Sequence, residues 1–219
     1  MRVLARRPDV TDAQFDAARA GLRATRVTGA RSDRAPEAHL DLPHEHEKAR
    51  ARFARPGPFA VDGLAWDTVE TPEPHVFAAG PRLVVEEHLG WTPDDTAGAD
   101  PDDVVKQVSF LHATAGVPVD EFRRHYRAHV AVARRHMPAL WQYVQNDVVE
   151  ILGADRTPGA VGIVAISELW FRTTDDFLNR YFASAADEAE FRSHEGFLDL
   201  RKAFSFICSS HSLPRKEAR

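Results

Sequence analysis

The clearest hydrophobic rhythm lies in the second half of the chain. Residues 104–113 (VVKQVSFLHA) are rich in β-branched side chains and predict a strand. Val119-Asp120-Glu121 opens a helix that runs to His136, where Pro138 forbids continuation. Residues 140–151 predict a second strand, Thr157-Pro158-Gly159 a turn, and residues 161–171 a nearly continuous apolar strand buried on both faces. Thr173 or Thr174 caps a helix through Tyr181-Phe182, with Asp175 and Asp176 near its positive end. A further helix is expected over 187–199 and a closing strand over 204–212. The order is βαββαβ with one extra short helix, the ferredoxin-like arrangement of an antiparallel sheet with helices on one face.

The first half echoes this order weakly. Residues 3–6 predict a strand, and Thr11 caps a helix containing Phe15, Ala18 and Leu22. Residues 63–69 and 83–89 predict two more strands, and residues 26–58 carry turn signals without a clear period. His88 can be laid over His211 and Phe15 over Phe122, at unequal offsets, so a repeat needs insertions in its second copy. Residues 92–103 hold no large apolar side chain after the tryptophan at 91. They are acidic and carry two prolines, so they read as a linker between units at 1–95 and 104–213.

The helix at 119–136 changes the picture from fold to chemistry. With Phe122 at zero and about 100° per residue, Tyr126 falls near +40°, His129 near −20°, His136 near −40° and His125 near −60°. Arg123, Arg124, Arg127, Arg134 and Arg135 fall between about +100° and +220° on the opposite face. Three histidines and a tyrosine therefore face the sheet. Buried imidazoles need partners, so such a stripe implies a polar cavity or a hydrogen-bonded network. An imidazole near neutrality serves as general acid or base. The bland reading is a set of satisfied histidines at the edge of the core. A metal shared by His125 and His129 at i, i+4 lacks a third ligand in the pattern, and His44-Glu45-His46-Glu47 reads as a solvated face. Trp141, Tyr143, Trp170 and Phe171 lie beside this helix in order and can shape an apolar pocket, with His211 facing the same space. His194 reads as exposed and Cys208 as a buried thiol.

Composition narrows the classes. The 219 residues carry 33 Asp+Glu, 28 Lys+Arg, a net charge of −5 and one cysteine. This argues against a general nucleic-acid binder, a disulfide framework and a multi-cysteine metal site. No membrane span and no apolar leader is read, which sets the expectation of a cytoplasmic protein. Gly-x-Ser-x-Gly, Gly-x-Gly-x-x-Gly and phosphate-loop patterns are absent from the sequence.

Residues 120–129 (DEFRRHYRAH), then Tyr143-Val144-Gln145-Asn146, then residues 163–171 (IVAISELWF), resemble the EthD family over residues 104–213. That family lies in the dimeric α/β-barrel superfamily, in which two ferredoxin-like units press their sheets together. The resemblance implies an α+β chain of two tandem ferredoxin-like units forming an intrachain dimeric α/β barrel, with a degenerate N-terminal copy. It implies a monomeric pseudo-dimer or a homodimer acting on a small molecule, with no cofactor or metal. It matches His129 to the cleft-facing helix histidine, and Tyr143 and Asn146 to polar strand positions. The activities it implies are dehydration, cyclisation or decarboxylation of aromatic or polyketide-like substrates. His129, Tyr126, His125 and Asn146 are then the catalytic candidates. Phe122, Trp141, Tyr143, Trp170, Phe171, His136 and His211 are the substrate-binding ones. The same pocket suits a non-catalytic binding or scaffold protein, and the superfamily also hosts cofactor-free monooxygenases and haem-binding relatives.

Overall fold

A computed structural model describes residues 2–6, 9–11, 13–14, 17, 26–29, 63–66, 77–78, 81–93, 104–152 and 160–210. Its elements are β1 (Arg2–Arg6), β2 (Arg26–Gly29), β3 (Gly63–Trp66), β4 (Phe77–Ala78), β5 (Arg82–Trp91), β6 (Val105–His112), α1 (Val119–His136), β7 (Leu140–Leu152), β8 (Ile163–Phe171), α2 (Thr174–Asn179), α3 (Ala185–Ser193) and β9 (Phe204–Ser210). The chain is mixed α+β, and every strand pairing is antiparallel.

Local chemistry explains most boundaries in the second half. Gly116 takes φ +85°, which lets the Val117 N–H reach Thr114 O at 3.0 Å and turn the chain into α1. Asp120 and Glu121 stand in the first turn of α1 and Arg134, Arg135 and His136 in the last, each favourable to the helix dipole. The Thr173 hydroxyl accepts from Asp176 N at 3.1 Å and caps α2, and Ser184 caps α3 through Asp187 N at 3.1 Å. In the first half, Thr11 and Gln14 form a reciprocal capping box, with N–H contacts of 2.9 and 3.3 Å.

Two expected helices are shorter than the sequence pattern predicts. α2 stops at Asn179, because Tyr181 and Phe182 leave the helix to join an aromatic cluster with Phe171, Phe177 and Phe191. α3 stops at Ser193, and the stretch expected to extend it to 199 runs along the end of β6 instead. There Thr114 N donates to Phe197 O at 2.9 Å and Asp199 N to His112 O at 2.8 Å. The short strand β4 carries no readable signal. Phe15, Leu22, the His44–His46 pair, the turn at 157–159 and His211 lie outside the described residues.

The sheet order is β3-β2-β9-β6-β8-β7-β5-β1-β4, and β1 also pairs with β3. Within it, β9-β6-β8-β7 is the ferredoxin-like order of the second half. Strand alternation sends Val105, Leu111, Leu169 and Phe171 toward the helices, where they meet Phe122, Tyr126, Met137 and Phe191. Val108, Phe110 and Ile166 pack on the opposite face with Leu83, Val148 and Phe204. β8 is buried on both faces, as the continuous apolar run at 161–171 predicts, and β6 is buried on both faces as well.

Candidate functional site

The helix-facing side of the second-half sheet holds a cavity of about 110 Å³. Its floor comes from strands: Gln107 and Ser109 on β6, Tyr143 on β7, Ser167 and Leu169 on β8. α1 supplies Tyr126, His129 and Ala133, and the α2–α3 region supplies Tyr181, Phe191, Arg192 and Glu195. The chain has three tyrosines, and all three line this cavity.

His129 lines it from α1. The residue is 5% exposed, and its ring lies 4.6 Å from Phe191 and 5.8 Å from Phe197. Nδ1 is buried and has no hydrogen-bond partner among the described residues. Burial lowers the imidazole to about 4, helped by repulsion from His194, so the ring is neutral at physiological pH.

The phenols beside it are fixed by a chain of donors. Arg127 Nη1 donates to Gln145 Oε1 at 2.8 Å. Because a guanidinium only donates, this contact sets the amide orientation and turns Gln145 Nε2 inward. Nε2 then donates to the Tyr126 backbone oxygen and to the Tyr143 hydroxyl, the latter at 3.3 Å. The Tyr143 oxygen is thus an acceptor from behind, and its own proton points elsewhere. Burial pushes Tyr143 up to about 12, and Gln145 and Tyr126 pull against that rise. Burial, then the neighbouring Tyr143, holds Tyr126 well above the ordinary phenol range. Both phenols therefore keep their protons and act as donors. On the opposite wall Tyr181 OH donates to Gln107 Oε1 at 2.8 Å, and Arg192 Nη1 meets Glu195 Oε2 at 3.0 Å.

Of the residues singled out in the sequence, the cavity brings together His129, Tyr126 and Tyr143. Phe122 sits behind them, 5.6 Å from the Tyr126 ring, and Phe171 backs Tyr181 at 5.1 Å. His136 is buried but faces away, bonded through Nδ1 to Asp187 at 2.9 Å. His125 does not share the buried stripe. Its side chain is 49% exposed, lies 3.6 Å from Glu121 and stacks on Phe197.

Asn146 and Trp170 lie on the other face of the sheet, because strand alternation opposes them to Tyr143 and Leu169. Asn146 Nδ2 donates there to Glu168 Oε1 at 2.9 Å. Glu168 meets Lys106 at 2.7 Å, and Lys106 lies 4.5 Å over the Trp170 ring. A register shift between Leu140 and Gln142 carries Trp141 into a separate groove.

Sequence reasoning missed Gln107, Ser109, Ser167, Tyr181, Arg192 and Glu195. The first three had a signal: polar side chains at alternate positions of otherwise apolar strands mark a face that is not ordinary core. Among the described residues no three His, Cys, Asp or Glu side chains group as metal ligands would, and no helix is long and apolar enough to cross a membrane.

Residues 115–201 match the family model of the EthD domain. The span takes in α1, β7, β8, α2 and α3, and with them His129, Tyr126, Tyr143, Arg192 and Glu195. It leaves out β6 and β9. No curated protein matches the chain.

Proposed function

We propose that the cavity is the active site of a cofactor-independent enzyme acting on a small aromatic or polyketide-like molecule by dehydration, cyclisation or decarboxylation. The observation that carries this reading is a neutral, buried imidazole lining the same small space as two proton-bearing phenols. His129 takes the proton from an acidic C–H next to a carbonyl. Tyr143 donates to the carbonyl oxygen as it gains charge, and Tyr126 supports it. An imidazole held near 4 is a weak base, so the enolate needs those donors. Its conjugate acid is correspondingly strong. In a dehydration the same ring returns the proton to the departing hydroxyl: the C–H pair becomes the C=C bond, the C–O bond breaks, and water leaves. About 110 Å³ admits one ring or less of a substrate at the reacting end.

In this reading the chain is also its own dimer. The strand order β2-β3-β1-β5 repeats β7-β8-β6-β9, and the β2–β9 and β5–β7 pairings join the two sets. That supports a tandem barrel; in this reading its one competent site lies in the second half, and the chain works as a monomeric pseudo-dimer or as a homodimer.

The test is solvent deuterium incorporation into the methyl group of acetophenone, followed by NMR. Exchange should exceed the buffer rate and fall roughly 10²-fold or more in His129→Ala. Equal exchange in the variant sinks the assignment of His129. Saturable acetophenone binding with exchange at the buffer rate points instead to a non-catalytic binding protein.

A further inference from the structure

The hydroxyl that Tyr143 turns to the cavity is set by side chains that do not line it. Strand alternation puts Tyr143, Gln145 and Asp147 in one row on the helix-facing side of β7. Of that row the cavity is lined by Tyr143, while Gln145 and Asp147 lie buried behind it. Arg127, half-buried, reaches over the row from α1. Its Nη1 donates to Gln145 Oε1 at 2.8 Å and its Nη2 to Asp147 Oδ2. Asp147 also has Arg123 Nε at 3.8 Å and His88 Nε2 at 3.7 Å.

The Tyr143 ring is itself packed in place. It is buried, and Trp91 stands edge-on against it at 5.6 Å. Gly90 lets β5 bring that indole close under α1, since a Cβ there would sit 3.1 Å from Tyr143 O and 3.2 Å from the Val130 methyls. The freedom left to the phenol is the position of its proton, on one side of the oxygen or the other.

Gln145 decides between the two. With Nε2 toward the Tyr143 oxygen at 3.3 Å, the amide occupies a lone pair and sends the proton to the far side. With the amide turned over, Oε1 would take that proton, and the cavity would meet a lone pair instead. Two contacts oppose the turn. The guanidinium of Arg127 has no acceptor to offer Nε2, and the Tyr126 backbone oxygen has no proton to offer Oε1. We propose that Gln145 and Arg127 are positioning residues that make Tyr143 a donor toward the cavity, with Asp147 holding Arg127 in place. This rests on the reading of Tyr143 as the donor to a substrate oxygen, and it makes the reaction depend on a guanidinium that the substrate never meets.

The full chain labelled with 3-fluorotyrosine gives a test without substrate. Its three fluorine resonances are assigned by Tyr126→Phe, Tyr143→Phe and Tyr181→Phe and followed against pH by NMR. In Gln145→Glu and in Arg127→Leu the Tyr143 resonance should titrate at higher pH than in wild type, because a donor or a cation that favours the phenolate is gone, while Tyr181 on the opposite wall holds its position. The second arm is acetophenone exchange. Tyr143→Phe should slow it about 10²-fold, and Gln145→Glu should match that loss within about threefold. The Gln145→Glu/Tyr143→Phe double variant should stay within about threefold of Tyr143→Phe, since both changes remove the same donor. Arg127→Leu should slow exchange about tenfold. Arg124→Gln, exposed on the same helix, should leave it unchanged. An unmoved Tyr143 resonance, a Tyr181 resonance that moves as far, undiminished exchange in Gln145→Glu or Arg127→Leu, or losses that multiply in the double variant overturns the proposal. Thermal melts followed by circular dichroism check folding; should Gln145→Glu fail to fold, Arg127→Leu carries both arms. A wild type with exchange at the buffer rate removes the catalytic reading of the cavity, and the titration then decides the orientation of Tyr143 by itself.

Discussion

The lowered affinity of His129 for a proton makes the stability of the fold depend on pH. In the unfolded chain the imidazole titrates near 6.5, and in the cavity near 4. Between those values the unfolded state holds more protons, so stability falls as the solution is acidified through that window. Above about pH 6.5 the contribution is complete. At pH 4.5 the linkage relation puts the loss at about 2.5 kcal/mol for this one residue. The ring is almost wholly buried, so solvent screening takes little from that figure.

His112, also pulled down by burial, and Asp187 and Asp199, whose carboxyls are depressed, add pH dependence of their own. The measurement is therefore a difference. Urea unfolding of wild type and His129→Phe is followed at pH 7.5 and 4.5. The phenyl ring suits the Phe191 and Phe197 surroundings and cannot titrate. The wild type should lose about 2.5 kcal/mol more than the variant on acidification. Parallel losses in the two proteins, or an NMR titration of His129 with a midpoint at or above 6.5, refute the argument. Either result would also remove the claim that burial holds the ring well below its ordinary range.

Three further outcomes follow from the packing. Gly90→Ala should lower stability by about 1–3 kcal/mol through the forced contacts with Tyr143 and Val130, read as a shifted urea midpoint at constant slope. Lys106→Met should cost about 3–5 kcal/mol by leaving the Glu168 charge buried, and adding Glu168→Gln should recover most of it; equal stability of the single and double variants would contradict this. In an alkaline titration followed at 295 nm, two of the three tyrosines should stay protonated to about pH 11 in the folded protein, and two early transitions would contradict the burial of Tyr126 and Tyr143.

Much of the second half is legible in the chain. The 3.6-residue spacing of Phe122, Tyr126, His129 and Ala133 gives both the limits of α1 and the histidine that faces the cavity, because one periodicity governs both. The spacing cannot say how wide the covered stripe is. His125 lies only a little farther round than His136, yet it is out in solvent while His136 finds Asp187 fifty-one positions away. The period-two rule separates Asn146 and Trp170 from Tyr143, and applying it strictly would have kept them from the site. The wall formed by Tyr181, Phe191, Arg192 and Glu195 is not legible at all. Phe191 and Arg192 stand within α3 itself, and Tyr181 and Glu195 reach the cavity because the chain leaves α2 at Asn179 and α3 at Ser193; which way they point is set by packing over the sheet and not by local spacing. The first half resists reading for a related reason: strands as short as β2 and β4 carry too few alternations to reveal a period.

The strand order also limits how the chain can be cut. β6 lies between β8 and β9 and floors the cavity with Gln107 and Ser109, yet the EthD match begins after it. Excising residues 115–201 would therefore carry His129 away without its floor. A longer fragment from residue 104 onward would keep the floor and bare two strand edges. One is β7, thirteen residues long, which β5 now covers; the other is β9, which β2 now covers. Bare edges recruit strands. Such a fragment would be expected to leave solution or to pair with a copy of itself, replacing by association what the whole chain supplies by its own length.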